Sequence, residues 1–136
     1  MTTANGEVRD LNSTLRRAGL WLPPLVYMAG IFFFSAQSRP VPVVSAHVWD
    51  KLLHFVAYGG LGGLFYRASR GEGLGWTAAF AAAAIATTAY GASDEWHQSF
   101  VPLRDASIRD WFADALGGTI GAALYGTVSR GMSRIS

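Results

Sequence analysis

The sequence predicts an all-α integral membrane protein, a four-helix bundle of up-down topology, on three observations. Only 15% of the 136 residues are charged and 51% are hydrophobic, whereas soluble domains carry ~25% charged residues. Four apolar stretches approach the ~20 residues of helix that cross a hydrocarbon core. All five tryptophans (Trp21, Trp49, Trp76, Trp96 and Trp111) fall near the ends of those stretches, where amphipathic rings settle at a membrane interface.

The first stretch runs from about Leu20 to Ala36 and contains Pro23-Pro24, which fit an early helical turn that needs no N–H from proline. The second, Leu52–Ala68, and the fourth, Ile108–Val128, carry ionisable residues near their starts, so hydropathy supports them less firmly than the others. The third, Leu74–Ala92, has no charge at any position and so offers no face to water, which argues against a soluble amphipathic bundle. Residues 1–17 are polar without helical periodicity and are expected as a mobile cytoplasmic tail. The domain is expected over 18–130 and a second tail over 131–136. A signal peptide at the first stretch is the alternative, but its length suits a span better than a short h-region.

Lysine and arginine placement sets the expected orientation. The N-terminal arm (Arg9, Arg16, Arg17), the second loop (Arg67, Arg70) and the tail (Arg130, Arg134) hold seven of the eleven cations. The first and third loops hold Arg39, Lys51, Arg104 and Arg109. The positive-inside rule then puts both termini in the cytoplasm. Ten arginines against one lysine, with 21 alanines, suggest a GC-rich bacterial genome. The small, scattered net charge of +2 excludes nucleic acid as a partner. With no cysteine, disulfides, zinc ribbons, iron–sulfur clusters and thiolate catalysis are also excluded.

Helices in lipid cohere through close contact of small residues. Gly59-x-x-x-Gly63 in the second span and Gly117-x-x-x-Gly121 in the fourth therefore predict that these two approach closely.

The informative polar residues form three blocks that a hairpin topology brings to one end. These are Asp50-Lys51 with His54 and Tyr58, then Asp94-Glu95 with Gln98, then Arg104 through Ser107 and Asp110 to Asp114. Asp50, His54 and Tyr58 are spaced by four, as are Asp110 and Asp114, so each set shares a helix face. Ionisable groups within a span are costly unless paired or facing a wet cavity, and they mark functional sites. Ser107 and Asp110 fit a capping box, and Asp50 can complement a helix dipole. Neither role explains His54 or Asp114, which lie beyond the first turn. His47 and His97 are expected at the surface.

These blocks resemble the VanZ-like family of small polytopic membrane proteins, named for a teicoplanin-resistance protein. The likeness covers about Ser35 to Gly121 and is strongest over DEWHQSFVPLRDASIRDWFADALGGTIG, residues 94–121. Asp94, Glu95, Gln98, Arg104, Ser107, Asp110 and Gly117 fill the family pattern, Asp50-Lys51, His54 and Tyr58 match its D-K-x-x-H-F-x-x-Y block, and Ser35-Ala36-Gln37-Ser38 with Pro40 matches its first turn. Two positions depart: Leu103 stands where the family often has glycine, and Asp114 where it often has asparagine. The resemblance implies an inner-membrane location and, for the founding member, resistance to a glycopeptide acting on the cell envelope.

Two functions compete on these residues. The first is an enzyme acting on an envelope lipid or glycolipid, with His54 as general base and Glu95 or Asp110 as acid or metal ligand. Arg104 and Lys51 would clamp a phosphate, and Asp50, Gln98, Tyr58 and Asp114 would complete the walls. No cofactor is indicated by a motif, but Asp50, Glu95, Asp110 and Asp114 could hold a divalent cation such as Mg²⁺, Ca²⁺ or Mn²⁺. The second is a non-catalytic binder of lipid or glycopeptide whose polar cluster is a structural network. A proton-coupled transporter is disfavoured because no polar groups cross the full depth.

Overall fold

The computed structural model describes residues 2–38, 46–104 and 106–133, with side chains described from residue 6 onward except at 46–50. It is an all-α bundle of four helices, α1 (Thr2–Ser35), α2 (Ala46–Gly71), α3 (Trp76–Gln98) and α4 (Ile108–Met132), without a strand among the described residues. Consecutive helices run antiparallel. Arg16 and Trp21 of α1 meet Gly71 and Glu72 at the far end of α2, Tyr66 of α2 meets Trp76 at the start of α3, and Trp111 at the start of α4 donates to the Thr88 carbonyl late in α3. The helices α2 and α4 therefore lie parallel, and they form the tightest pair.

That pair packs backbone against backbone, as the small residues predict, but the critical positions differ from the expected set. A Cβ at Gly62 would collide with the Gly118 carbonyl, one at Gly117 with the Phe55 carbonyl, and one at Gly121 with the Gly59 carbonyl. At Gly59 and Gly63 a Cβ would stand 3.5 and 3.6 Å from its nearest neighbour, which is ordinary contact. Two parallel helices in van der Waals contact through their main chains leave no room for a side chain where one backbone lies directly on the other, at Gly62, Gly117 and Gly121. Gly118 faces α3 instead, where a Cβ would overlap Thr87. The small core beside this seam consists of Tyr66, Ala79, Ala83 and Ala122.

The helix α1 departs most from expectation. The polar segment expected as a mobile tail is helical from Thr2, so α1 is 34 residues long and Pro23-Pro24 sit in its interior. Within these turns the Ser13 and Thr14 hydroxyls donate back to the Asp10 carbonyl, which satisfies them inside the helix. An interior proline leaves the carbonyl four residues earlier without its N–H partner. Here Arg67 of α2 donates to the orphaned Gly19 carbonyl at 3.3 Å, replacing the bond that Pro23 cannot make. A neighbouring helix thus offsets the bond lost at Pro23.

Only α1, over residues 6–35, is long and apolar enough by length and composition to cross a membrane among the described helices. Threonine, tryptophan, tyrosine and glycine dilute the hydropathy of α3, and charges interrupt the ends of α2 and α4.

The α3–α4 connection contains one strained residue. Leu103 has φ of 65° and follows Pro102 in a turn closed by the Arg104 N–H donating to the Val101 carbonyl at 3.2 Å. Proline then a positive φ is the pattern in which glycine is preferred at the second central position, and this chain places a leucine there.

Two outcomes follow. Gly62→Ala, Gly117→Ala and Gly121→Ala should each destabilise the folded protein by about 1–3 kcal/mol through overpacking, whereas Gly30→Ala, which meets open space, should not. Thermal melting in detergent decides, and equal melting of all four would refute the seam. Leu103→Gly should raise stability by about 0.5–1 kcal/mol, since relief of a left-handed leucine, about 1–2 kcal/mol, exceeds the entropy cost of glycine. The Leu103 side chain is 76% exposed, so no packing is lost; a lower melting temperature would contradict this.

Candidate functional site

The polar blocks converge at the end of the bundle where α2 and α4 begin and α3 ends. Its centre is a hydrogen bond of 2.8 Å between His54 Nδ1 and Asp114 Oδ1, which joins α2 to α4. The Asp114 side chain is fully buried and that of His54 is 10% exposed. One turn outward, Lys51 Nζ pairs with Asp110 Oδ1 at 2.8 Å. The two contacts repeat at matched intervals because parallel helices in register present successive turns to each other.

Space for Asp114 comes from α3. A Cβ at Gly91 would stand 2.9 Å from the Asp114 Cβ and 3.0 Å from its Oδ2, so only glycine there lets the carboxylate enter. One turn further along α3, buried Asp94 accepts from Gln98 Nε2 at 3.2 Å. Glu95, also buried, reaches across the loop: its Oε2 accepts the Ser107 N–H at 2.6 Å. The expected capping box is therefore split between two helices. The Ser107 hydroxyl caps the Arg109 N–H of α4, but the return bond to Ser107 comes from Glu95, which leaves Asp110 for Lys51. Burial pushes the Glu95 carboxyl upward from its ordinary range, opposed by the Ser107 N–H and by His54 nearby.

Tyr58 lies one turn inward of His54, with its ring parallel to the imidazole at 6.4 Å between centroids. It is almost wholly buried, with its hydroxyl directed at the Asp94 carboxylate. The Tyr90 ring lies tilted beside that of Tyr58 at 6.1 Å, and its hydroxyl donates to the Met28 carbonyl at 2.7 Å, tying α3 to α1.

The sequence-predicted residues thus fall into distinct settings. His54, Glu95 and Asp114 come together, each with a ligating atom within 4.8 Å of the others. Lys51 and Asp110 form a neighbouring pair, and Gln98 holds Asp94. Arg104 donates to the Phe34 carbonyl at the end of α1, at 3.4 Å. The Asp50 side chain lies outside the described residues, as do those of His47 and Trp49. His97, expected at the surface, is half-buried with its ring stacked on Phe32 at 4.3 Å, because α1 extends over this end of α3. Among the cation ligands considered from sequence, Asp110 is occupied by Lys51, and His54 stands with Glu95 and Asp114 instead.

Two residues of the site escaped the sequence reading of roles. Asp94 was legible in its i, i+4 spacing to Gln98, and its burial adds a fourth carboxylate. Gly91 carries no signal in one sequence, since its role depends wholly on what faces it.

No curated protein and no solved structure matches the chain. A family model described as VanZ/LLP1 matches residues 5–129. That match takes in the site and most of each of the four helices, and the chain belongs to the VanZ/LLP1 family.

Proposed function

We propose that this chain is a four-span protein of the bacterial cytoplasmic membrane, with both ends of the bundle's chain on the cytoplasmic side, whose outward-facing polar pocket binds an envelope lipid or glycolipid and acts on it by acid–base chemistry. The observation that carries this reading is the inverted distribution of side chains. Buried positions hold Asp94, Glu95, Gln98, Asp110 and Asp114, while Leu25, Phe33, Val56, Ile85, Leu116 and Leu124 are more than half exposed. Such a surface suits hydrocarbon, and such an interior suits a site shielded by it.

The two ends of the bundle differ in a way that supports the orientation. At the end opposite the pocket, Arg17 pairs with Glu72 at 3.4 Å, Arg16 donates to the Gly71 carbonyl at 2.6 Å, and Arg70 and Arg130 lie over the Trp76 ring. A girdle of arginine around a tryptophan matches a cytoplasmic interface.

In the pocket, Asp114 orients the His54 imidazole, which suits His54 to accept a proton, and buried Glu95 suits donation. Along α2 and α4, an apolar groove of about 420 Å³, bordered by Phe55, Val56, Ile120, Leu124 and Val128, supports an acyl chain as part of the ligand. A contribution to envelope homeostasis or to teicoplanin-type resistance is the role this reading gives the chain.

A second reading, a non-catalytic binder with a structural polar network, is favoured by the Glu95–Ser107 and Lys51–Asp110 bonds, which tie helix ends together.

Cysteines introduced singly at Ala4, Ser45, Gly73, Ala106 and Ser136 test the topology. With a membrane-impermeant thiol reagent on intact cells, only Ser45→Cys and Ala106→Cys should label, and labelling of Gly73→Cys would overturn the orientation. The pocket is tested with a photoreactive anionic phospholipid in nanodiscs. His54→Ala, Glu95→Gln and Arg104→Ala should each reduce crosslinking about tenfold, equivalent to about 1.4 kcal/mol, with melting nearly unchanged. A network role predicts instead that His54→Ala lowers stability by about 1–3 kcal/mol, because it leaves Asp114 unsatisfied.

A further inference from the structure

We propose that His54, Glu95 and Asp114 form a binding site for one divalent transition-metal ion of the zinc, manganese or cobalt class. This depends on neither the membrane topology nor the ligand proposed for the pocket, and it gives His54 and Glu95 a ligating role in place of proton transfer. The three side chains come from three helices and bring one ligating atom each to within 4.8 Å of the others. Both carboxylates are held by one oxygen and keep the other unpartnered. Asp114 bonds His54 through Oδ1 while buried Oδ2 has no hydrogen-bond partner among the described residues. Glu95 takes the Ser107 N–H on Oε2 while buried Oε1 has none. Orphaned buried oxygens are costly, and a cation between them removes the cost.

Charge balance points the same way. Asp94, Glu95, Asp110 and Asp114 are all more than nine-tenths buried at this end of the bundle. The permanent cations among the described residues there are Lys51, bonded to Asp110, Arg104, bonded to the Phe34 carbonyl, and the exposed Arg109. Four buried carboxylates outnumber these cations, so the cluster is acidic enough to accommodate a bound cation. The donor set selects the ion class: one imidazole nitrogen with two carboxylate oxygens suits borderline first-row metals, whereas Mg²⁺ and Ca²⁺ prefer oxygen alone. Three protein ligands leave a coordination position open, as in sites that polarise water or a phosphoryl oxygen.

The test uses the full chain, purified in detergent, stripped with a chelator and titrated with Zn²⁺, Mn²⁺ or Mg²⁺ while metal content and melting are measured. One equivalent of Zn²⁺ or Mn²⁺ should bind and raise the melting temperature, with Mg²⁺ at least tenfold weaker. Co²⁺ should give visible absorption bands of a low-symmetry site with a nitrogen ligand. Glu95→Gln, which can still accept the Ser107 N–H, and Asp114→Asn should each weaken binding at least tenfold, and His54→Gln should abolish the cobalt bands. Absence of saturable binding by the unaltered chain, or undiminished binding by both carboxamide variants, would overturn the site. Either result leaves the topology and phospholipid experiments untouched, so failure here is separable from failure of the proposed function.

Discussion

The contact on which the other features depend is the approach of α2 to α4 through glycine. Main chain against main chain fixes both the distance between two parallel helices and their register. Gly62 lies against Gly118, and Gly59 against Gly117 and Gly121. With that register set, Lys51 can only meet Asp110, and His54 can only meet Asp114. The same register brings Gly126 beneath the Tyr66 ring at the opposite end. A shift by one residue would rotate each partner by about 100° and separate every pair, as the 3.6-residue repeat requires. The polar site is therefore a consequence of apolar packing.

The helix α3 plays the complementary part. It is nearly featureless over Ala78–Ala86, and its small side chains let it lie flat in the angle between α2 and α4. Where it must carry chemistry, the pattern changes abruptly: Gly91 admits Asp114, and Asp94, Glu95 and Gln98 follow within two turns. Glu95 then binds the loop that starts α4, so the end of one helix supplies the cap that the next would otherwise take from its own sequence. This exchange releases Asp110 to pair with Lys51.

The helix α1 is held differently, at its two levels and on the outside. Arg67 repairs the carbonyl left open by Pro23, Tyr90 reaches the Met28 carbonyl, and Phe32 covers His97. Most of its apolar side chains remain exposed, among them Leu22, Val26, Phe33 and Phe34. The helix α1 thus lies along the outside of the bundle without being drawn into its core.

The sequence by itself determined the helical class, the four apolar stretches, the family pattern and the polar blocks, because these rest on composition and on spacings within one helix. It also determined that the second and fourth helices meet, since small residues at intervals of four admit no better use. What tertiary structure decided is every relation between helices. Which glycines are critical depends on what faces them, so Gly62 and Gly91 matter while Gly59 and Gly63 have room. The partner of Asp110 is Lys51 and not its own helix start, and the helicity of the polar N-terminal arm is stabilised at the far end of α2 by Arg16 and Arg17. Local periodicity states which side of a helix a residue occupies, but only packing states what stands opposite, and it is the opposite group that turns a polar residue into a cap, an ion pair or a ligand.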